Sequence, residues 1–286
     1  MGYSLHSAAS RPEMYATLFD ANHPMSSSLW PQFVTSTPTS LRYWDKLSPI
    51  PYFAQYQLIT VEKGSGTRQD AVVACANSIP VFCSVDNLPD GGWDAVLQEG
   101  MEMHFSNTDD TQKSPNLLSA LGLTVSRDHH RLEFADVLIL ALRELAKQSQ
   151  FEALVVPLRP TRKCEHPFVD LGEYLKWKTG NGTGLDSEQI YDPWLRKHVS
   201  LGGKPVKIAP HSMSVKASGQ QWSQWKMGRS LLELAEEQHA CMVKPSTGSE
   251  YIDLQLSGAL VPVRHFPAED MASYVERNVW VVHPLH

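Results

Sequence analysis

LLSALGLTVSRDHHRLEFADVLILALRELAKQSQFEALVVPL, residues 117–158, is the stretch from which the fold can be read. Residues 117–125 are mostly apolar and read as a strand. A short polar loop follows. Residues 134–148 then carry apolar side chains at helical spacing. Val137, Leu138, Leu140, Ala141, Leu142 and Leu145 make a broad apolar face, with Arg143, Glu144 and Lys147 outside it. FEALVVPLRP (151–160) is a continuous apolar run, as expected of a strand covered on both faces. Strand, helix, strand in this order predicts a βαβ-like unit inside a mixed sheet.

Outward from that unit, the N-terminal side holds AQYQLITVE (54–62) and AVVACANSIPVFCS (71–84). These read as a hairpin, with the second strand broken near Pro80. DAVLQEGMEMHF (94–105) has helical spacing. On the C-terminal side, LGEYLKWK (171–178) reads as a short helix. Asp192 caps another helix, with Pro193 at its first position. KPVKIAP and SMSVKAS read as two short strands, QQWSQWKMG and SLLELAEEQ as helices. YIDLQL, ALVPVRHF and NVWVVH read as closing strands. Residues 1–45, rich in Ser, Pro, Thr and aromatics, read as a helical or irregular lead-in whose rings pack on the body. Residues 46–286 read as one α+β domain with a decorated C-terminal half.

Composition narrows the function classes. The chain has 286 residues, 42% of them hydrophobic, and a formal net charge of -6. That balance argues against a general nucleic-acid binder, which presents a basic face. No run reaches the ~18–20 apolar residues of a membrane span, and no charged n-region precedes an apolar stretch at the N-terminus. The expected location is the cytoplasm. The four cysteines are scattered. Cys164 with His166, and His239 with Cys241, fit no common zinc spacing, so no metal site is expected. GxSxG, P-loop and GxGxxG elements are absent, which leaves serine hydrolases and nucleotide enzymes without support. The sequence sets no oligomeric state, and the expected partner is a small-molecule substrate.

The segments LPDGGWDAVL (88–97), LLSALGLTV, ALVVPLRPT (153–161), YDPWLRKHVSLGG (191–203), SGALVPV (257–263) and YVERNVWVVH (274–283) carry a resemblance. With the order of elements, they make the chain similar to the GNAT (N-acetyltransferase-like) superfamily. More narrowly, it resembles bacterial GNAT-like proteins of unassigned substrate, over roughly residues 40–284. The resemblance implies a splayed mixed β-sheet flanked by helices. It also implies an acyl-CoA site whose pyrophosphate sits at the turn before the 134–148 helix.

That turn departs from the family pattern of Arg or Gln, two residues, Gly, one residue, then Gly or Ala. His130 falls on the first position, Glu133 on the glycine, and Ala135 on the last small position. Glycine there lets phosphates approach backbone amides. A carboxylate at ~4 Å would repel a phosphate charge by about 4 kcal/mol at an effective dielectric near 20. The turn therefore reads as a degenerate CoA site, with no cofactor as the first expectation. Acetyl-CoA or another acyl-CoA is the alternative, held near Leu123, Val125, Arg131 and Ala135.

On this reading the vacated cleft serves acid/base chemistry of small-molecule, natural-product type: cyclisation, isomerisation, decarboxylation or an aldol-type step. The alternatives are a conventional acyltransferase and a non-catalytic binding protein. His129, His130 and Glu133 are candidate acid/base groups, because histidine titrates near neutrality. A solvated loop, with Glu133 as a favourable charge at a helix N-terminus, is the simpler explanation. Tyr174 occupies the region where the family often carries a thiolate-protonating tyrosine, and packing as a helix face with Leu175 and Trp177 is the simpler explanation. Arg196 and His198 are candidate substrate contacts. Glu102 and His104 are weaker acid/base candidates. Trp93, Trp194, Trp222 and Trp225 are candidate walls of an apolar substrate pocket, although core packing explains most tryptophans equally well.

Overall fold

Phe134–Gln148 folds as the helix expected from its spacing, and it buries Phe134, Leu138, Ile139, Leu142 and Ala146 against a sheet. The structure is a computed structural model. It describes all residues except 1, 26–29, 68, 107–113, 130–132, 181–188, 226–227 and 286. The strands are β1 (Tyr3–Ser7), β2 (Leu58–Glu62), β3 (Ala71–Val81), β4 (Leu117–Val125), β5 (Ala153–Leu158), β6 (Lys178–Thr179) and β7 (Gln189–Ile190). They continue with β8 (Lys204–Ser218), β9 (Met242–Val243), β10 (Tyr251–Leu254), β11 (Val263–Phe266) and β12 (Met271–Pro284). The helices are α1 (Pro12–Ala16), α2 (Gln32–Thr35), α3 (Pro38–Tyr43), α4 (Pro51–Ala54) and α5 (Gly92–Ser106). After them come α6 (Phe134–Gln148), α7 (Leu171–Tyr174), α8 (Pro193–Ser200), α9 (Gly219–Trp225) and α10 (Leu231–Glu237).

The main sheet runs β1-β2-β3-β4-β5-β12-β11-β10-β9, with β8 also paired to β12. All its pairings are antiparallel except β4 with β5, which are parallel neighbours joined through α6. This is the expected βαβ unit within a mixed sheet. The two larger cores lie on the two faces, and a smaller one under the N-terminal lead-in holds Tyr15, Ile59 and Val61. One of the larger two is built from α6, α8 and the outward face of β4, β5 and β12, with Leu138, Leu142, Leu154, Val156, Leu195 and Val281. The other lies under α5, α9 and β8, with Trp93, Leu97, Met213, Trp222, Tyr274 and Trp280.

Several elements differ from the sequence reading. The lead-in contributes β1, which pairs antiparallel with β2 at the sheet edge. Its short YSLHS run carries too few apolar residues to signal a strand. β3 is unbroken through Pro80, which pairs with Leu118. A proline can sit in a strand where its position needs no donated hydrogen bond. KPVKIAP and SMSVKAS form one strand, β8, and not two. It keeps its pairing with β12 across an irregularity between Glu276 and Asn278. A bulge absorbs the extra residues that look like a break in the sequence.

Two features of this fold create a site. β4 and β5 pair only through Leu117–Ser119 and Ala153–Val155. Beyond these residues both strands continue, but apart. β4 also has a bulge opposite β3: Asn77 faces Gly122 and Ser78 faces Ala120, so Leu121 is the extra residue.

Candidate active site

The split between β4 and β5 opens a cavity of about 440 Å³. One wall is β4 from Ala120 to Val125, the other is Leu154 to Leu158 of β5. Ala135, Ile139 and Leu142 of α6 and Trp194 and His198 of α8 close it on one face of the sheet. Trp30, Trp93, Met213 and Asn278 close it on the other, beside Arg159 and Thr161. The cavity thus passes through the sheet and touches both larger cores.

The bulge is fixed by an aromatic side chain. Trp93 Nε1 donates to the Leu121 carbonyl at 2.6 Å, and its ring stacks on Trp44 with centroids 5.7 Å apart. Trp93 is held at its backbone too: its N–H donates to Ser212 Oγ at 2.8 Å. Gly92, with φ +46°, makes this approach possible, because a Cβ there would lie 2.2 Å from Ser212 Oγ.

At the other end of the wall stands a buried polar network. Arg159 Nε donates to both oxygens of Glu276, at 3.0 and 2.9 Å. Its Nη2 donates to the Gly258 carbonyl. Tyr274 donates its hydroxyl to Glu276 and accepts from the Leu260 N–H. Asn278 Nδ2 donates to Glu276 at 2.9 Å, and Asn278 Oδ1 accepts from Ser212 Oγ at 2.6 Å. Burial pulls the Arg159 guanidinium down, but Glu276 and Tyr274 hold it above its usual value. Burial pushes the nearby Asp94 carboxyl up to about 6.

On the opposite face, His198 Nδ1 and His283 Nε2 lie 2.8 Å apart. Trp194 meets the His198 ring edge-on at 4.5 Å. Burial, then the neighbouring His283, lowers His198 to about 3. Burial and Arg143 lower His283 to about 4. Both rings are therefore neutral at pH 7 and suit packing and hydrogen bonding.

The cavity brings together Trp93, Trp194, His198, Leu123, Val125 and Ala135 from the sequence-derived candidates. The others stand elsewhere. Tyr174 is buried and donates to Asp192 at 2.9 Å. Asp192 also accepts from the N–H groups of Arg162, Trp194 and Leu195, so it caps α8 as expected. Arg196 donates to the Ile190 carbonyl. Trp222 is fully buried and donates to the Ala272 carbonyl, with Trp225 edge-on against it. These two tryptophans are core. His129 faces Ser126 and Glu62, beside Tyr3. Glu133 is exposed at the start of α6 and makes no side-chain cap hydrogen bond. Among the lower-ranked pair, Glu102 accepts from Tyr43 and His104 stacks on Tyr52. His130 and Arg131 lie outside the described residues.

Sequence reasoning missed Trp30, Arg159, Glu276 and Asn278. Two signals were available. Arg159 is a charge at the end of a run too apolar to leave it unpaired. In YVERNVW, residues 274, 276, 278 and 280 share one face by strand alternation. That face carries Tyr274, Glu276, Asn278 and Trp280, all buried.

A mixed sheet split between two parallel strands, with a helix starting beside the split, is the splayed sheet that the resemblance to the GNAT superfamily implies. The comparisons agree. The chain is 51% identical over 285 residues to the arginine N-acetyltransferase avaD of Aspergillus versicolor, covering 100% of this chain and 95% of that protein. It is similar in structure to the loading GNATL domain of CurA from Lyngbya majuscula, with a TM-score of 0.53 and 13% identity, covering 100% and 98% of the two chains. A GphF GNAT-like decarboxylase in complex with isobutyryl-CoA aligns at a TM-score of 0.47 and 16% identity, over 99% of this chain and 100% of that one. No family model matches the chain. The chain belongs to the GNAT superfamily. Among the described residues, no helix is long and apolar enough to cross a membrane. None of their His, Cys, Asp and Glu side chains form a group of three or more that could hold a metal ion.

Proposed function

We propose that this protein is an acetyl-CoA-dependent N-acetyltransferase whose acceptor is arginine or a small arginine-like amine of natural-product metabolism. The observation that carries this reading is the cavity through the β4–β5 split. It has one half on each face of the sheet, one suited to a donor and the other to an acceptor, and the halves meet between the strands. The half under α6 and α8 suits an acyl chain and its apolar arm, with Leu123, Val125 and Ala135 beside it. The start of α6 suits the phosphates, since unpaired amides there carry partial positive charge. Glu133 is exposed and does not line the cavity, which supports a tolerated carboxylate in that turn. The similarity to an arginine N-acetyltransferase supports the acceptor class.

In the reaction, the neutral acceptor nitrogen attacks the thioester carbonyl. A C–N bond forms and the C–S bond breaks. The nitrogen releases one proton, and the departing thiolate takes one up. The cavity assists by excluding water and aligning the two reactants.

Incubating the pure protein with acetyl-CoA and arginine tests the reading. Mass spectrometry should find arginine carrying one added acetyl group. Acetyl-CoA should also raise Tm by mass action. No Tm change at millimolar acetyl-CoA, with no product, would reject it.

The second reading is CoA-independent acid/base chemistry: cyclisation, isomerisation, decarboxylation or an aldol-type step. Glu133 at the family's glycine position is the observation in its favour. Turnover of a substrate without CoA would support it. Ligand uptake without any product would instead point to a binding protein.

A further inference from the structure

The ionisable groups around the cavity are unevenly placed. Among the described lining residues there is one Arg or Lys, Arg159, and no Asp or Glu. Arg159 is paired with Glu276, but the two partners differ in access. The Arg159 side chain keeps 15% of its exposure, whereas Glu276 keeps 0%. The accessible member of the pair is therefore the cation. Its Nε is committed to Glu276 and its Nη2 to the Gly258 carbonyl. Tyr274 bonds the guanidinium as well, so what the fork still offers a ligand is its partly exposed edge on the cavity. Trp30 covers the guanidinium, with Cζ 5.8 Å from the ring centroid. Asn278, another polar group here, spends its amide on Glu276 and its carbonyl oxygen on Ser212. A fixed, partly open guanidinium at the end of an apolar cavity is a carboxylate receptor, because the fork is already oriented before a ligand arrives.

We infer that Arg159 is the carboxylate subsite of the acceptor half of the cavity, and that the acceptor enters as a free amino acid. This rests on the acetyl-transfer reading for the identity of the acceptor. The carboxylate sits on Arg159 and the aliphatic stem on Trp30, Trp93 and Met213. The α-amine, one carbon from the carboxylate, faces the split, and the cationic end of the side chain is left toward solvent. An acceptor whose carboxyl is blocked or missing loses this contact and keeps the others. Glu276 is a positioning residue: it holds the guanidinium and does not touch the substrate.

Calorimetric titration of the wild-type protein, with and without saturating CoA, tests the subsite with three probes: arginine, argininamide and agmatine. Arginine should bind at least about tenfold more tightly than either analogue, about 1.4 kcal/mol. The double variant Arg159→Gln/Glu276→Gln removes both charges without leaving a lone buried carboxylate. In it the three probes should converge. Equal binding of arginine and argininamide by the wild type would overturn the subsite, as would binding of none of the three. Acetyl transfer to agmatine as efficient as to arginine would overturn the subsite while leaving the acetyltransferase reading standing. Tight, selective arginine binding without any acetyl transfer would do the reverse.

Discussion

The two sides of the cavity are built on different physics. The α6–α8 side is largely apolar, and its side chains recur at helical spacing from two short segments, 134–148 and 193–200. The β12 side is polar, and its partners come from four separate places: Arg159, Ser212, Gly258 and the 274–278 strand. The first side can lose one side chain and keep the rest of its burial. The second is a closed hydrogen-bond network, in which removing one member strands the others.

The largest expected effect therefore falls on the polar side. Glu276→Ala leaves the Arg159 guanidinium buried without its partner and should cost about 3–5 kcal/mol, read from urea unfolding. If the cost were below about 1 kcal/mol, the contrast between the sides would fail. On the apolar side, Leu142→Ala removes a buried side chain from the α6 face and should cost about 2–4 kcal/mol in the same assay. Asp192→Ala comes next. It removes an α8 cap and orphans the Tyr174 hydroxyl, for about 1–2 kcal/mol in denaturant midpoints.

The histidine pair sharpens the comparison through pH. Both rings have folded-state values below the ordinary 6.5, at about 3 and about 4. The unfolded chain thus binds more protons than the folded one between these values and 6.5. Their contribution is fully present above about pH 6.5 and is lost as pH falls through about 4 and then 3. The slope approaches about 1.4 kcal/mol per pH unit for each ring. His283→Asn should flatten the acid limb between pH 6 and 5. An unchanged slope would mean that the pair is not neutral in the folded protein.

The smallest expected effect is at Glu133. It is exposed, so Glu133→Gln should leave Tm within about 2 °C. Acetyl-CoA affinity should rise by less than about tenfold, because an exposed charge is screened by solvent and salt. A larger gain would mean that the carboxylate reaches the phosphates.

The same contrast explains what was legible in the sequence. The bounds of α6 were readable to the residue and the β4–helix–β5 order gave the parallel pair, but the apolar face was misplaced in part: Val137 and Leu140 are exposed, while Phe134, Ile139 and Ala146 are buried. Leu123, Val125 and Ala135 lie on that unit, whereas Trp194 and His198 come from α8 and were singled out in YDPWLRKH by residue type. The β8 strand was read as two because bulges have no period. Arg159 and Glu276 were passed over because they lie 117 residues apart, and no local pattern relates them. Tyr174, Trp222 and Trp225 were chosen by residue type and region. The fold uses Tyr174 to brace the α8 cap Asp192 and the two tryptophans for the core, roles with a similar local signature.

The parting of β4 and β5 also gives the sheet two rims in its interior. Rims belong at the outside of a sheet, where unpaired backbone groups attract another extended chain. Here they are enclosed and face each other across a gap, so anything that bridges them must be thin, extended and able to bond along its length. Amide hydrogen exchange would register that bridging directly. The N–H groups of residues 120–125 that face the gap should trade their hydrogens quickly in the ligand-free protein. They should slow when the gap is filled, while those bonded outward to β3 and β12 keep one steady rate. The exchange pattern would thus act as an occupancy gauge that needs no knowledge of the acceptor.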